Sequence, residues 1–417
     1  MINHIGNYII NNFYYCIKIM DNFIQITEGQ TKLLVPKNSL LEKVPPRYPA
    51  FFNPLARFNR DLSIYIYNIF LEEYNNTKNN QITFADAFGG IGSRGLRVAV
   101  EVPRVSKIYI NDINELAIIT AKESAHLNNI DAKCIFSINE VCKFLISRPT
   151  ERNKRFTIVD LDPFGSPSPF IECVLRSVED EGLISITATD TAVLSGIYQN
   201  VCLRKYFGLS INNTYSNEVA TRLIVSSTAL IAARLGISLR PIFVHSNRHY
   251  FRVFLKVSIS NSKANQVFNN LGYIKHCFKC GERNFSSIYS KGLCSVCSSK
   301  FNVTGQLWTG KLFDKNMILN LIKKYLSDDS TNDKKNQQIK QLFEISIGEL
   351  DDIPYYFTVD EIGSMLRTSP KKLSKIIEDI ISSGYRASRT IFRPTGLKTT
   401  ASMSDILSIL KLENELD

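Results

Sequence analysis

A short apolar run that ends in a carboxylate, a proline, an aromatic ring and a glycine constrains this chain more than any other stretch. Residues 156–161 read as a buried central strand, and Asp162-Pro163-Phe164-Gly165-Ser166-Pro167 stops it at its carboxyl end. Open α/β sheets bind their ligands at that end. Proline and glycine there are also what a strand needs simply to leave its sheet through a turn. The side chains allow a second reading. An exocyclic amine on an aromatic base is a poor nucleophile, because its lone pair is delocalised into the ring. Acceptors on its N–H groups turn it pyramidal and share the charge that develops during attack. Asp162 and the Pro163 carbonyl can be those acceptors, and Phe164 can stack on the base.

Upstream, residues 82–87 form a short strand that enters Phe88-Gly89-Gly90-Ile91-Gly92-Ser93-Arg94-Gly95, followed by a helical stretch at 96–102. Gly90, Gly92 and Gly95 satisfy G-x-G-x-x-G. Alone, that pattern predicts a dinucleotide fold with pyrophosphate at the helix N-terminus, and Asp112, after the strand 107–110, as a ribose ligand. Asp86 argues otherwise: an acid closing the first strand suits a cation and sits poorly beside pyrophosphate. S-adenosylmethionine has a ribose and an adenine, carries a sulfonium and an ammonium, and has no phosphate. Asp86 before the loop, Asp112 after the second strand and D-P-F-G after the fourth together favour that methyl donor.

Asp162-Pro163-Phe164-Gly165 resembles the D/N-P-P-F/Y motif of S-adenosylmethionine-dependent amino methyltransferases. With Ser166-Pro167 it is similar to the form found in the tRNA (guanine-26-N2)-dimethyltransferase family, archaeal type. Residues 28–32 (E-G-Q-T-K), 52–54 (F-N-P), 59–61 (N-R-D), 246–250 (S-N-R-H-Y) and 384–390 (G-Y-R-A-S-R-T) resemble that family too. The similarity runs from about Met20 to about Ala401. It implies a Rossmann-like methyltransferase domain that transfers methyl groups from S-adenosylmethionine to N2 of the guanine at tRNA position 26, giving N2-methyl- and N2,N2-dimethylguanosine. It further implies that Asp162 accepts from the amine and takes its proton, that Pro163 holds the second N–H, and that Phe52 and Phe164 stack on the flipped base. Arg60 would hold the donor's carboxylate, Asp86 and Gly90 would lie along its methionine end, and Asp112 would bind the ribose hydroxyls. The position that contacts adenine, usually Asp in the family, is Glu140 here. Core packing is the other reading of Phe52.

A chain of 417 residues exceeds one compact core and implies two or three domains. The division expected is an extension at 1–19, a methyltransferase domain at 20–262, a zinc-knuckle module at 263–310 and a winged-helix-like, tRNA-binding domain at 311–417. Residues 1–19 lack a basic start and a small-residue cleavage site, so no signal peptide is expected; they read as an upstream-start extension or an extra surface element. The first domain should continue with a strand at 182–189, a long helix at 216–235, and a hairpin of strands 239–244 and 250–259. On the long helix, Glu218 and Arg222 stand at i, i+4, the spacing of an ordinary surface ion pair. The longest apolar run, 223–235, is interrupted by Ser and Thr and flanked by arginine, so no membrane segment is expected. The expectation is a soluble, cytoplasmic protein with no implied protein partner.

Cysteine usage divides in two. Cys16, Cys134, Cys142, Cys173 and Cys202 are scattered among apolar residues and read as reduced core thiols. Cys277-x2-Cys280 and Cys294-x2-Cys297 can bring four thiolates into a tetrahedron around a structural Zn2+, with Gly281 and Gly292 easing the turns and His276 a bystander. Further on, residues 357–361 open one helix, Thr368-Ser369-Pro370 another, and 385–392 is strand-like. Residues 361–400 hold 8 basic against 3 acidic side chains, which suits a phosphate-facing or a merely solvated surface. The stretch 327–338, rich in Asp, Asn and Lys, reads as a linker. The net charge of +11, from 50 Lys+Arg against 39 Asp+Glu, with a pI near 9.1, fits an RNA partner. Two other functions compete: an amino methyltransferase for adenine-N6 or ribosomal RNA guanine-N2, and a non-enzymatic nucleic-acid binder.

Overall fold

The computed structural model describes residues 22–74, 81–152, 154–247, 249–326, 334–369 and 371–414. The expected extension at 1–19, Cys16, Arg248 and Pro370 lie outside them. The chain forms two compact units, residues 1–162 with 176–179, and residues 163–175 with 180–417. The boundaries expected at 262 and 310 fall inside the second.

In the first unit, an antiparallel hairpin, β1 (Phe23–Glu28) and β2 (Thr31–Pro36), turns at Gly29. Gly29 has φ +61, and a Cβ there would lie 2.5 Å from the Glu101 carboxylate, so any side chain would strain the turn and push on the ion network. Helix α1 (Arg57–Glu73) precedes four parallel strands: β3 (Thr83–Asp86), β4 (Lys107–Asn111), β5 (Cys134–Ser137) and β6 (Phe156–Leu161). Helices α2 (Ser93–Glu101), α3 (Glu115–Leu127) and α4 (Val141–Arg152) connect them. The spatial order is β5-β4-β3-β6. Every residue of β3 and β6 is buried, as expected of parallel strands covered on both faces. The chain winds one way from β3 to β4 and β5 and the other way to β6, so the switch point lies between β3 and β6, where Asp86 pairs with Asp160.

Two of the segments singled out by resemblance meet in a buried ion network. Arg60 donates through Nε and Nη2 to the two oxygens of Glu28, each at 2.6 Å. Arg97 reaches Glu28 at 3.1 Å, Glu101 at 2.8 Å and Asp61. Thr31 closes the set by donating to Glu101 at 2.9 Å. Charges at 28, 60, 61, 97 and 101 thereby tie the hairpin to α1 and α2.

The second unit holds β7 (Val178–Ala188) from residue 180 onward, and residues 183–188 pair antiparallel with β9 (Tyr250–Ile259); β8 (Ile237–Asn247) and β9 form the expected hairpin. Helix α5 (Gln199–Tyr206) and the long α6 (Ser216–Arg234) lie between. A three-stranded sheet follows, β11 (Arg283–Ser286), β10 (Leu271–His276) and β12 (Asn302–Trp308) in that order. Then come α7 (Lys315–Tyr325), α8 (Lys334–Gly348), β13 (Phe357–Thr358), α9 (Val359–Leu366), α10 (Leu373–Ser382), β14 (Ala387–Arg389), β15 (Gly396–Thr399) and α11 (Met403–Asn414). Phe357, Ile362, Ile376, Ile380, Leu397 and Met403 belong to one core cluster among them.

Four expectations change. Residues 334–338 begin α8 instead of extending a linker. The strand-like stretch at 385–392 is a strand only at Ala387–Arg389. Cys142 and Cys173 are disulfide-bonded, whereas Cys134 and Cys202 are buried free thiols that burial pushes up to about 12 and about 11. Finally, Glu218 and Arg222 are no surface pair. Both are fully buried, and Lys398 donates to Glu218 at 2.5 Å and to Glu349 at 2.9 Å, also with no exposure. Arg222 spends its remaining donors on the carbonyls of Trp308, Gly310 and Asp351. The i, i+4 spacing does pair them, but only the tertiary structure supplies the second cation and second acid.

Candidate active site

The carboxyl ends of β3 and β6 gather three acids around one guanidinium. Arg94, in the first turn of α2, donates to Asp162 Oδ2 at 2.7 Å, and its Nε lies 3.4 Å from Asp160 Oδ1. Its Nη1 donates to Ser63 Oγ at 2.9 Å and Asn59 Oδ1 at 3.2 Å. The Tyr67 hydroxyl donates to the other oxygen of Asp160. Burial disfavours the charge on Arg94, but Asp160 and Asp162 more than offset it and hold the group above the ordinary arginine range. Asp160 is fully buried, while the Asp162 side chain is 32 % exposed. Of the two strand-end acids, Asp162 alone meets solvent.

Asp86 is buried, and its Oδ2 accepts from the Gly95 amide at 2.9 Å. A Cβ at Gly95 would sit 2.8 Å from Ile110, so only glycine lets the helix start this close to β3 and β4. Burial and then the Asp160 charge push Asp86 up to about 7, against the pull of Arg94. Asp112 holds the glycine loop from the other side, accepting from Gly90 N at 2.8 Å and from Asn114 N at 2.9 Å.

The other expected site residues have partners of their own. Arg60 is buried against Glu28 and donates to the Asn53 carbonyl at 3.1 Å. Its guanidinium lies 5.0 Å from the ring centre of Phe52, which is only 2 % exposed. Glu140 is exposed, and its carboxylate accepts from Lys143 N at 2.9 Å in the first turn of α4. In the second unit, Phe164 is 58 % exposed. The turn that follows Pro163 and Phe164 is pinned by Gly165, whose N–H donates to Thr189 Oγ1 at 2.6 Å and whose carbonyl accepts from Thr189 N at 2.8 Å.

Arg94, Asp160, Tyr67, Asn59 and Ser63 escaped the sequence reading. Signals for them exist. Asn59, Ser63 and Tyr67 recur every four residues, a polar stripe along one face of α1. Asp160 and Asp162 stand two apart at a strand end, hence on one face.

The four-cysteine cluster is a separate centre. The sulfurs of Cys277, Cys280, Cys294 and Cys297 all lie within 4.8 Å of one another, with Cys277–Cys297 at 3.4 Å and Cys280–Cys294 at 3.5 Å. A tetrahedral zinc with Zn–S bonds of about 2.3 Å needs sulfur separations of roughly 3.8 Å, so the donor set fits a zinc site closed by four thiolates. The two knuckles fold alike: Gly281 N donates to Cys277 O and Ser298 N to Cys294 O, each at 2.9 Å. The left-handed residue is Gly281 (φ +72) in the first and Ser298 (φ +57) in the second, so Ser298 takes the part expected of Gly292. His276 is buried outside the cluster, and burial followed by Arg283 pulls it down to about 3, leaving it neutral.

Parallel strands wound in both directions from a switch point, with acids and a glycine loop at their carboxyl ends, define an α/β protein of the nucleotide-ligand type. The family match goes further. The chain belongs to the N2,N2-dimethylguanosine tRNA methyltransferase family, whose pattern matches residues 29–411. It is 33% identical over 398 residues to the tRNA (guanine(26)-N(2))-dimethyltransferase of Methanosphaera stadtmanae, covering 94% of this chain and 97% of that one. The enzyme of the same name from Pyrococcus furiosus is 31% identical, with 93% and 98% covered. Among solved structures, Trm1 from Pyrococcus horikoshii in complex with S-adenosyl-L-methionine superposes with a TM-score of 0.77 at 29% identity, covering 93% of this chain and 99% of that one. No helix among the described residues is long and apolar enough to cross a membrane.

Proposed function

We propose that this protein transfers methyl groups from S-adenosylmethionine to the exocyclic N2 of the guanine at tRNA position 26, forming N2-methyl- and then N2,N2-dimethylguanosine. The observation that carries the reading is the family match along nearly the whole chain, with Asp162 partly exposed beside Pro163 and Phe164 at the end of β6. The donor supplies an electrophilic methyl group on a sulfonium. The chain's residues supply the nucleophile's geometry. Asp162 accepts one N–H of the amine through its exposed side and takes the proton, while the Pro163 carbonyl accepts the other. Arg94 holds the carboxylate still, which matters because reacting atoms must meet at about 3–3.5 Å and in line.

Phe164 is the exposed ring available to stack on the base, and Phe52, buried under Arg60, would join it only after repacking. Asp112 and Gly90 set the loop that would cradle the donor's ribose. Asp86 acts on the donor through that loop, since its carboxyl is already bound to Gly95. Arg60 retains donor capacity beyond Glu28 for a carboxylate. Glu140 meets the adenine only by leaving its helix cap. Functionally we keep the division at 262 and 310: catalysis, a zinc module and a winged-helix-like RNA reader. A cytoplasmic location goes with the tRNA substrate.

The test is incubation with labelled methyl donor and unmodified tRNA, followed by nucleoside analysis. N2-methylated guanosine that is lost when guanine 26 is replaced supports the reading; N6-methyladenosine, or no transfer, defeats it. Elemental analysis should find one zinc per chain, and Cys280→Ser should lower the melting temperature more than it slows turnover on bound tRNA. A stable, metal-free preparation rules the zinc out.

A further inference from the structure

A positive groove free of acids lies beside the second cysteine knuckle, away from the strand-end carboxylates. A cleft of about 740 Å³ opens there, lined by Leu209, Tyr289, Lys291, Leu293, Lys300 and Phe301 with their neighbours, and it contains no acidic residue. That volume is within the roughly 300–1,000 Å³ of clefts that hold ligands. Its walls have defined positions. Leu293 and Lys300 bracket the knuckle and pair across an antiparallel bridge, which puts their side chains on one face. Leu209 pairs with Gly305 in the same way and also lines the cleft. Tyr289 is held edge-on to Tyr273, ring centres 5.3 Å apart, and remains 48 % exposed; Leu293 is 63 % exposed.

We infer that this groove binds an unpaired stretch of the RNA substrate, with Tyr289 stacking on a base and Lys291 and Lys300 meeting its phosphates; the inference rests on the function proposed above. The combination is what single-stranded nucleic acid requires: a fixed aromatic face for any base, and cations along the backbone. Ion pairing distinguishes this cleft from part of the basic C-terminal segment. There, Lys375 is committed to Asp379 at 2.7 Å and Arg393 to Asp360 at 3.7 Å. Lys291 and Lys300 have no carboxylate within ion-pair distance among the described residues, so they can give their whole charge to phosphate.

The test uses the full chain and a tRNA transcript, with binding followed by anisotropy across a salt series. Lys291→Ala with Lys300→Ala should weaken binding about tenfold near 0.1 M salt and reduce the slope of log K against log salt by about 1.5, the share of two phosphate contacts. Tyr289→Ala should weaken binding at least fivefold while leaving the salt slope at the parent's value, because stacking releases no counterions. An unchanged melting temperature for both variants shows that the fold is intact. If parent and variants bind tRNA with the same affinity and slope while the parent still methylates it, the groove is not an RNA surface, and an acidic protein segment becomes the better occupant. A parent that neither binds nor methylates tRNA defeats the proposed function itself, a result distinct from that one.

Discussion

Two buried charge clusters, one in each unit, are both built from carboxylates and cations and come to opposite balances. Around Arg94 stand Asp86, Asp160 and Asp162, three acids to one guanidinium, and the Asp162 side chain opens to solvent. Around Lys398 stand Glu218, Glu349 and Arg222, two acids to two bases, and none of the four is exposed. In the second, each acid has a cation in contact, and Thr390 and Ile391 N satisfy Glu349 further, although burial and the Glu218 charge still push the Glu349 carboxyl up. Such a set welds α6, the residue that follows α8, and β15, and presents no exposed member to a ligand. The first is over-supplied with acid, so burial and the Asp160 charge raise the Asp86 carboxyl well above the usual carboxylate range, and the set retains acceptor capacity at its open edge. Excess charge with one exposed member points to chemistry; balance with none points to structure.

The largest effect should come from the open member of the unbalanced set. Asp162→Ala should lower turnover by about two to four orders of magnitude while the affinity for methyl donor stays close to the parent's. Single-turnover methylation of tRNA beside a calorimetric donor titration measures both, and near-normal methylation would break the comparison at its functional end.

The balanced set should respond in stability. Lys398→Met leaves Glu218 and Glu349 buried with one cation between them, and should destabilise the second unit by about 3–5 kcal/mol. Urea unfolding reads this directly. A loss below about 1 kcal/mol would mean that the quartet is not the weld described.

The smallest effect concerns the raised Asp86 carboxyl. Asp86 has a folded pKa raised above its unfolded value, so the folded state binds more protons between about pH 4 and its folded value of about 7. Stability is therefore greatest below the unfolded pKa, falls as pH rises through that window, and levels off above it. The slope contributed should be on the order of 1 kcal/mol per pH unit. Asp86→Asn, which keeps an acceptor for Gly95 N, should flatten it; an unchanged slope would mean that Asp86 is not the group that titrates in this window.

Much of the first unit was legible because each signal is local. The buried run 156–161 and its D-P-F-G stop lie within a dozen residues, and the G-x-G-x-x-G loop adjoins its own helix. The cysteine knuckles were legible for the same reason, since the spacing of two residues dictates a turn. The charge clusters were not. Arg94 is 66 residues from Asp160 in sequence, and Lys398 is 180 residues from Glu218, and no periodicity connects them. Asp86 illustrates the division: its type and its place before the loop predict a site for a cation, while the fold turns the carboxyl inward to Gly95.

By itself, the sequence determined the order of chemistry along the chain: an acid, a glycine loop, a second acid, then Asp162-Pro163-Phe164 at a strand end, with four thiols set to close on a metal. It did so because turns, caps and strand stops depend on neighbours a few residues away. Which acid stays open, which arginine holds it, and which cations are neutralised before any RNA arrives were decided only by tertiary structure. Those properties depend on burial and on charges brought together from distant segments, and a few ångströms of separation settle them.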